Sequence, residues 1–80
     1  MEEKIAVIAI IVKEEAASEK VNSILHEYRD YIVGRLGIPY RKKGVNVISV
    51  VIDASQEVIN GLSGKLGMTD GVTSKVLTTK

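Results

Sequence analysis

The chain has 80 residues, no cysteine, one histidine and a formal charge of +1, with 45 % apolar and 26 % charged residues. This is the composition of a small soluble domain spanning 1–80, and it excludes disulfide frameworks, thiolate metal sites, iron–sulfur ligation and cysteine nucleophiles. The sole imidazole, His26, also excludes any site that needs two histidines from one chain.

A chain this short buries only about 60 to 65 % of its unfolded surface, so its core is small and association between copies would enlarge it. The start, Met1-Glu2-Glu3-Lys4, is acidic where a secretory signal would be basic, and the apolar run Ile5 to Val12 is far below the about 20 residues of a membrane span. The expectation is a cytoplasmic protein with no membrane partner. Residues 1–30 carry seven acids and four bases, 31–52 carry four bases and no acid, and 53–80 carry three of each. The middle segment, with Arg35, Arg41, Lys42 and Lys43, is the electropositive part.

Lys4 to Lys13 is a β-branched run bounded by charges, which predicts a first strand. From Ala17 the apolar period changes: Ala17, Val21, Ile24, Leu25 and Tyr28 fall on one face of a helix beginning at Glu14 or Glu15 and ending at Tyr28. Acids at Glu14, Glu15 and Glu19 suit its N-terminal end, and Arg29 suits its C-terminal end. Tyr31 to Leu36 forms a second strand. Gly37, Pro39 and Gly44 then mark the longest loop, with Tyr40 in it. Val45 to Ile52 is a third strand, and Asp53 or Ser55 is the N-cap of a second helix whose apolar face is Val58, Ile59, Leu62 and Leu66. Gly67 is placed as the left-handed residue ending that helix. After the turn dipeptide Asp70-Gly71, Val72 to Thr78 is the fourth strand.

The order β-α-β-β-α-β makes the fold class α+β: a ferredoxin-like four-stranded antiparallel sheet with both helices on one face and the first and third strands central. Those central strands are apolar on both alternating sets. Ile5, Val7, Ala9 and Ile11 oppose Ala6, Ile8, Ile10 and Val12, while Val45, Val47 and Val51 oppose Ile48, Val50 and Ile52. A central strand wetted on one side should be polar there. The sheet face away from the helices is therefore expected to be covered by another copy, in a dimer or tetramer.

Many functions use this topology, and elimination removes several. No aromatic lies on the third strand to stack a base, as an RNA-recognition module requires. Val12-Lys13-Glu14-Glu15 offers no metal-chaperone ligands after the first strand, and no glycine-rich loop with arginine opens the first helix as in acylphosphatases. Gly61-Leu62-Ser63-Gly64-Lys65 lies inside the second helix and lacks the P-loop spacing. His26 falls outside the apolar stripe, as a solvated or rim side chain, and Glu14 and Glu15, adjacent in sequence, point apart on a helix. Tyr28 belongs to the core stripe with its hydroxyl at the rim, and Tyr31 opens the second strand. With no nucleophile–base pair, no catalytic residue is assigned and the protein is expected not to be an enzyme.

The segment Ile32-Val33-Gly34-Arg35-Leu36-Gly37-Ile38-Pro39-Tyr40-Arg41-Lys42-Lys43 combines close-approach glycines, a rigid proline, an aromatic and four cations, which suits anion or partner recognition. This segment, the strand Val47-Ile48-Ser49-Val50-Val51 and the run Leu62-Ser63-Gly64-Lys65-Leu66-Gly67-Met68 together resemble the small iron-only hydrogenase system regulator family over essentially the whole chain.

The resemblance implies an ACT-like domain, similar to the C-terminal sensing domain of nickel-responsive repressors, in bacteria that assemble iron-only hydrogenases. It departs from those repressors in lacking their histidines and cysteine, and a first strand starting near Lys4 is expected to leave no room for a separate ribbon-helix-helix reader. Neither metal nor cofactor is expected. The implied function is non-catalytic regulation, of transcription or otherwise, by a homo-oligomer that binds a small anionic ligand or a protein partner. The motif positions carried over are Gly34, Arg35, Gly37, Ile38, Pro39, Tyr40 and Arg41, with Gly64, Lys65 and Gly67 as a second set. For the second set the competing role is helix termination and close packing. By analogy with ACT-like interfaces, Val12 to Ala16 are secondary candidates. The alternatives are a hydrogenase maturation or assembly partner bound through the basic 35–43 loop, a direct DNA binder using Arg35, Arg41, Lys42 and Lys43, and a small enzyme with an interfacial site.

Overall fold

The computed structural model describes residues 3–79; the acidic start at Met1 and Glu2 lies outside the described residues. The order is β1 (Glu3–Val12), α1 (Glu15–Glu27), β2 (Ile32–Tyr40), β3 (Val45–Ser55), α2 (Gln56–Gly67) and β4 (Val72–Thr78). Short 3₁₀ turns at Arg29–Tyr31 and Arg41–Lys43 flank β2. The four strands form one antiparallel sheet in the order β2-β3-β1-β4. This is the ferredoxin-like arrangement, with β1 and β3 central.

Alternation along the central strands sorts side chains by face. Ala6, Ile8, Ile10 and Val12 of β1 and Ile48, Val50, Ile52 and Ala54 of β3 are buried beneath the helices. They meet Ala17, Val21, Ile24 and Leu25 of α1 and Ile59, Leu62 and Leu66 of α2, spaced as one helical stripe in each case. Tyr28 caps α1 and packs half-buried against this core. His26 is exposed.

Several local expectations change. Gly37, Pro39 and Tyr40 belong to β2 and not to a loop, and the connection to β3 is only the turn at 41–44. Proline is tolerated there because β2 is an edge strand. Gly44, at φ +67°, supplies the left-handed residue that closes this turn. Tyr31 sits in the 3₁₀ turn ahead of β2. Asp53 lies within β3, so Ser55 is the N-cap, its Oγ accepting from the backbone N–H of Val58 at 3.3 Å. Gly67 stays helical and Met68 is the C-cap, at φ −92°. Ser55→Ala removes the cap bond and is expected to cost about 1 kcal/mol, read as a lower urea midpoint at unchanged m-value.

Candidate functional site

The register of β2 decides which face of the sheet each motif residue lies on. A bulge between Ile32 and Gly34 leaves Val33 as an extra residue, 68 % exposed, and reverses the alternation that Ile32 begins. Ile32 pairs with Ile52 on the helix side, whereas Gly34, Leu36 and Ile38 pair with Val51, Ser49 and Val47 on the open side. Arg35, Gly37 and Pro39, opposite Val50, Ile48 and Asn46, therefore face α1.

The helix-facing set is small apart from Arg35, so α1 is not packed down onto β2 and a groove runs between them. Two side-chain hydrogen bonds cross this region. Arg35 Nη2 donates to Asn22 Oδ1 at 2.8 Å, and Asn46 Nδ2 donates to Ser18 Oγ at 3.0 Å. Around these bonds lies a cavity of about 260 Å³ that includes Gly37, Ile38 and Pro39 in its lining. It leads through Pro39 and Asn46 to a cavity of about 340 Å³ lined by Val12, Glu15, Pro39, Tyr40, Arg41, Gly44, Val45 and Asn46. That second cavity joins the end of β1 and the start of α1 to the β2–β3 turn. It brings Tyr40 and Arg41 together with Val12 and Glu15 of the secondary candidate set. Glu15 is its single acid and Arg41 its single base.

The open sheet face is the other notable surface. Ile5, Val7 and Ile11 on β1, Val47 on β3, Leu36, Ile38 and Tyr40 on β2 and Leu77 on β4 are all exposed. Polar residues enter this face chiefly at Ser49, Asp53, Thr73 and Lys75, as the register requires. Gly34 lies on the same face, and a Cβ built there or at Gly37 meets no atom within 4 Å. Neither glycine has positive φ, so nothing within this chain demands glycine at either position.

The second motif set does not join the first. Lys65 lies between the helices, its Nζ 2.6 Å from Glu27 Oε2 and 5.4 Å from the centroid of the Tyr28 ring. The hydrogen bond to Glu27 raises the Lys65 ammonium above its ordinary value of 10.5. Its small contribution to stability is present below that value and disappears as pH rises through the raised one. Gly64 and Gly67 are exposed on α2 with no atom within 4 Å of an added Cβ, so neither terminates the helix by a left-handed turn nor packs closely within the chain. Gly61, outside the motif, is the α2 glycine with a packing role: a Cβ there would lie 3.0 Å from the Tyr28 hydroxyl.

The TM1266-like family model, described as "Iron-only hydrogenase system regulator, putative", matches residues 4–76. The chain belongs to this family. The solved structure of uncharacterized protein TM1266 from Thermotoga maritima has a TM-score of 0.94 at 34 % identity, covering 99 % of this chain and 100 % of that one. A formyltetrahydrofolate deformylase from Pseudomonas putida KT2440 has a TM-score of 0.65 at 15 % identity, covering 91 % of this chain and 28 % of that one. The de novo designed protein Foldit4 reaches 0.61 at 20 % identity, covering 99 % and 98 %. These last two likenesses concern the fold alone. No curated protein matches. The family is thus one of regulators by description, and the fold is ferredoxin-like. Among the described residues no helix is long and apolar enough to cross a membrane.

Proposed function

We propose that the chain is a non-catalytic regulatory domain of the TM1266-like family that works as a homo-oligomer and binds a small anionic ligand or a protein segment at the Tyr40–Arg41 end of the α1–β2 groove. The observation that carries this reading is the uncovered apolar sheet face. Ile5, Val7, Ile11, Val47, Leu36, Ile38 and Leu77 leave that face apolar and exposed across all four strands, more than a monomer of this size ordinarily leaves in one patch. Tyr40, on the open face by alternation, also lines the Arg41 cavity, so a copy docked on the sheet would reach the rim of that cavity. The glycines at 34 and 37, unexplained within one chain, suit close approach by that copy and by a bound molecule.

The test is thermal stabilisation of the full chain across amino acids, nucleotides and small carboxylates. A ligand at 100 times its dissociation constant adds about 2.7 kcal/mol, and Arg41→Ala is expected to abolish the shift. A uniformly flat screen would overturn ligand binding and favour a protein partner, such as a hydrogenase assembly factor, held by Arg41, Lys42 and Lys43. All three are exposed at the hairpin tip. Charge reversal at Arg41 and Lys42 would then abolish co-purification of that partner.

A further inference from the structure

At the opposite end of the groove from Arg41, where α1 ends and β2 begins, lies a separate cavity of about 300 Å³ whose lining includes His26, Arg29, Arg35, Leu25 and Ile32. We propose that this cavity is an oxyanion site in which the guanidinium groups of Arg29 and Arg35 grip a phosphate or carboxylate, with His26 at the rim. It shares no lining residue with the Arg41 cavity, and it stands whether or not that cavity binds anything.

Arg29 and Arg35 both line one small space, and among the described residues its lining holds no Asp or Glu. Among the described residues the one ion pair is Lys65 with Glu27, so neither Arg29 nor Arg35 is neutralised by an acid within 4 Å. Asp30, the nearest acid in sequence, follows Arg29 in the 3₁₀ turn but is not part of the lining.

Both arginines are also already held. Arg35 Nη2 donates to Asn22 Oδ1 at 2.8 Å, and Arg29 Nη1 donates to the carbonyl oxygen of His26 at 3.0 Å. Each bond uses part of a five-donor fork and leaves the remainder for a ligand, so less side-chain freedom is lost on binding. The Arg29 bond has a second effect. The C-terminal end of a helix repels anions, and this guanidinium covers one of the exposed carbonyls there. Leu25, fully buried, and Ile32, half-buried, give the site an apolar floor that strengthens charge–charge attraction above it. Forked donors select an oxyanion with at least two oxygens, and the volume suits a pyrophosphate or a small di- or tricarboxylate.

The experiment is calorimetric titration of the full-length chain with inorganic pyrophosphate and, separately, citrate, at low salt and matched ionic strength. The expected result is one site per chain for at least one of the two probes, and which probe binds distinguishes phosphate from carboxylate chemistry. Arg29→Gln and Arg35→Gln should each weaken binding at least tenfold. Arg41→Gln, at the far end of the groove, should change it less than twofold. Asn22→Ala keeps every charge but frees Arg35, and is expected to weaken binding about threefold with the far-ultraviolet dichroism unchanged. Absence of heat with both probes at millimolar concentration overturns the site, as does equal weakening by Arg29→Gln, Arg35→Gln and Arg41→Gln, which would mean diffuse attraction to a basic surface. Loss of the Arg41-dependent thermal shift with retention of pyrophosphate or citrate binding would leave this site standing while removing the other.

Discussion

On the homo-oligomer proposed above, the double substitution Val7→Asp, Val51→Asp is expected to give a folded monomer, seen by sedimentation velocity at micromolar concentration. The two valines are directly opposed on β1 and β3, at the middle of the open sheet face. Their neighbours on the same face include Ala9, Ile11 and Val47, so a partner docking there would cover both positions at once. A carboxylate buried in such an interface without a partner costs several kcal/mol, and a two-fold interface repeats each substitution on the other copy. Against a standard interface this is enough to drive dissociation across the micromolar range. The folded chain should tolerate the change because both side chains point away from the helix-side core, and the dichroism spectrum should remain that of the parent. A parent protein that itself sediments as a monomer at this concentration would remove the assembly altogether.

That the open face is apolar was legible from the central strands alone, since both alternating sets of Ile5 to Val12 are hydrophobic and a sheet with one wet side would show polar residues on every second position. The four strands and two helices were legible in kind, from the unbroken β-branched run at Ile5 to Val12 and the helical stripes that start at Ala17 and near Val58. The end of β2 was not. Gly37 and Pro39 carry strong local turn signals, but pairing with β3 outweighs them at an edge, where the missing proline N–H is less costly to the ladder.

The groove was less legible still. It depends on the bulge at Val33, which turns Arg35, Gly37 and Pro39 toward α1 and sends Leu36 and Ile38 to the open face. An inserted residue in the ladder leaves no periodic trace in a nine-residue strand. The motif 34–41 therefore reads as one continuous recognition segment in sequence and is divided by the fold between opposite faces of the sheet. In sequence Arg29 reads as a charge at a helix end and His26 as a solvated or rim side chain. Only the fold sets them beside Arg35.

Leu25→Ala should leave a chain whose folded state is marginal at 25 °C, with the thermal midpoint falling by about 8 °C or more. Leu25 is fully buried on the inner stripe of α1, and the core it joins has only fifteen buried apolar residues among those described. Removing its isobutyl group forfeits transfer free energy and leaves a void, a combination that costs about 2 to 5 kcal/mol in well-packed cores. An 80-residue chain has about 4 to 12 kcal/mol of total stability at the usual 0.05 to 0.15 kcal/mol per residue, so this one truncation removes a large fraction of it. At about 4 to 8 °C per kcal/mol for a domain of this size, the melting shift exceeds experimental error several times over. The substitution also touches both roles of the α1 C-terminal region, because Leu25 lines the Arg29–Arg35 cavity as well as forming part of the core. If pyrophosphate or citrate binds in that cavity, a saturating concentration should raise the midpoint of Leu25→Ala less than that of the parent, since a lowered floor leaves the two guanidinium groups in a wetter and weaker field. An unchanged ligand-induced shift would place the anion away from Leu25, and a midpoint within 3 °C of the parent would mean that α1 collapses into the void at little cost.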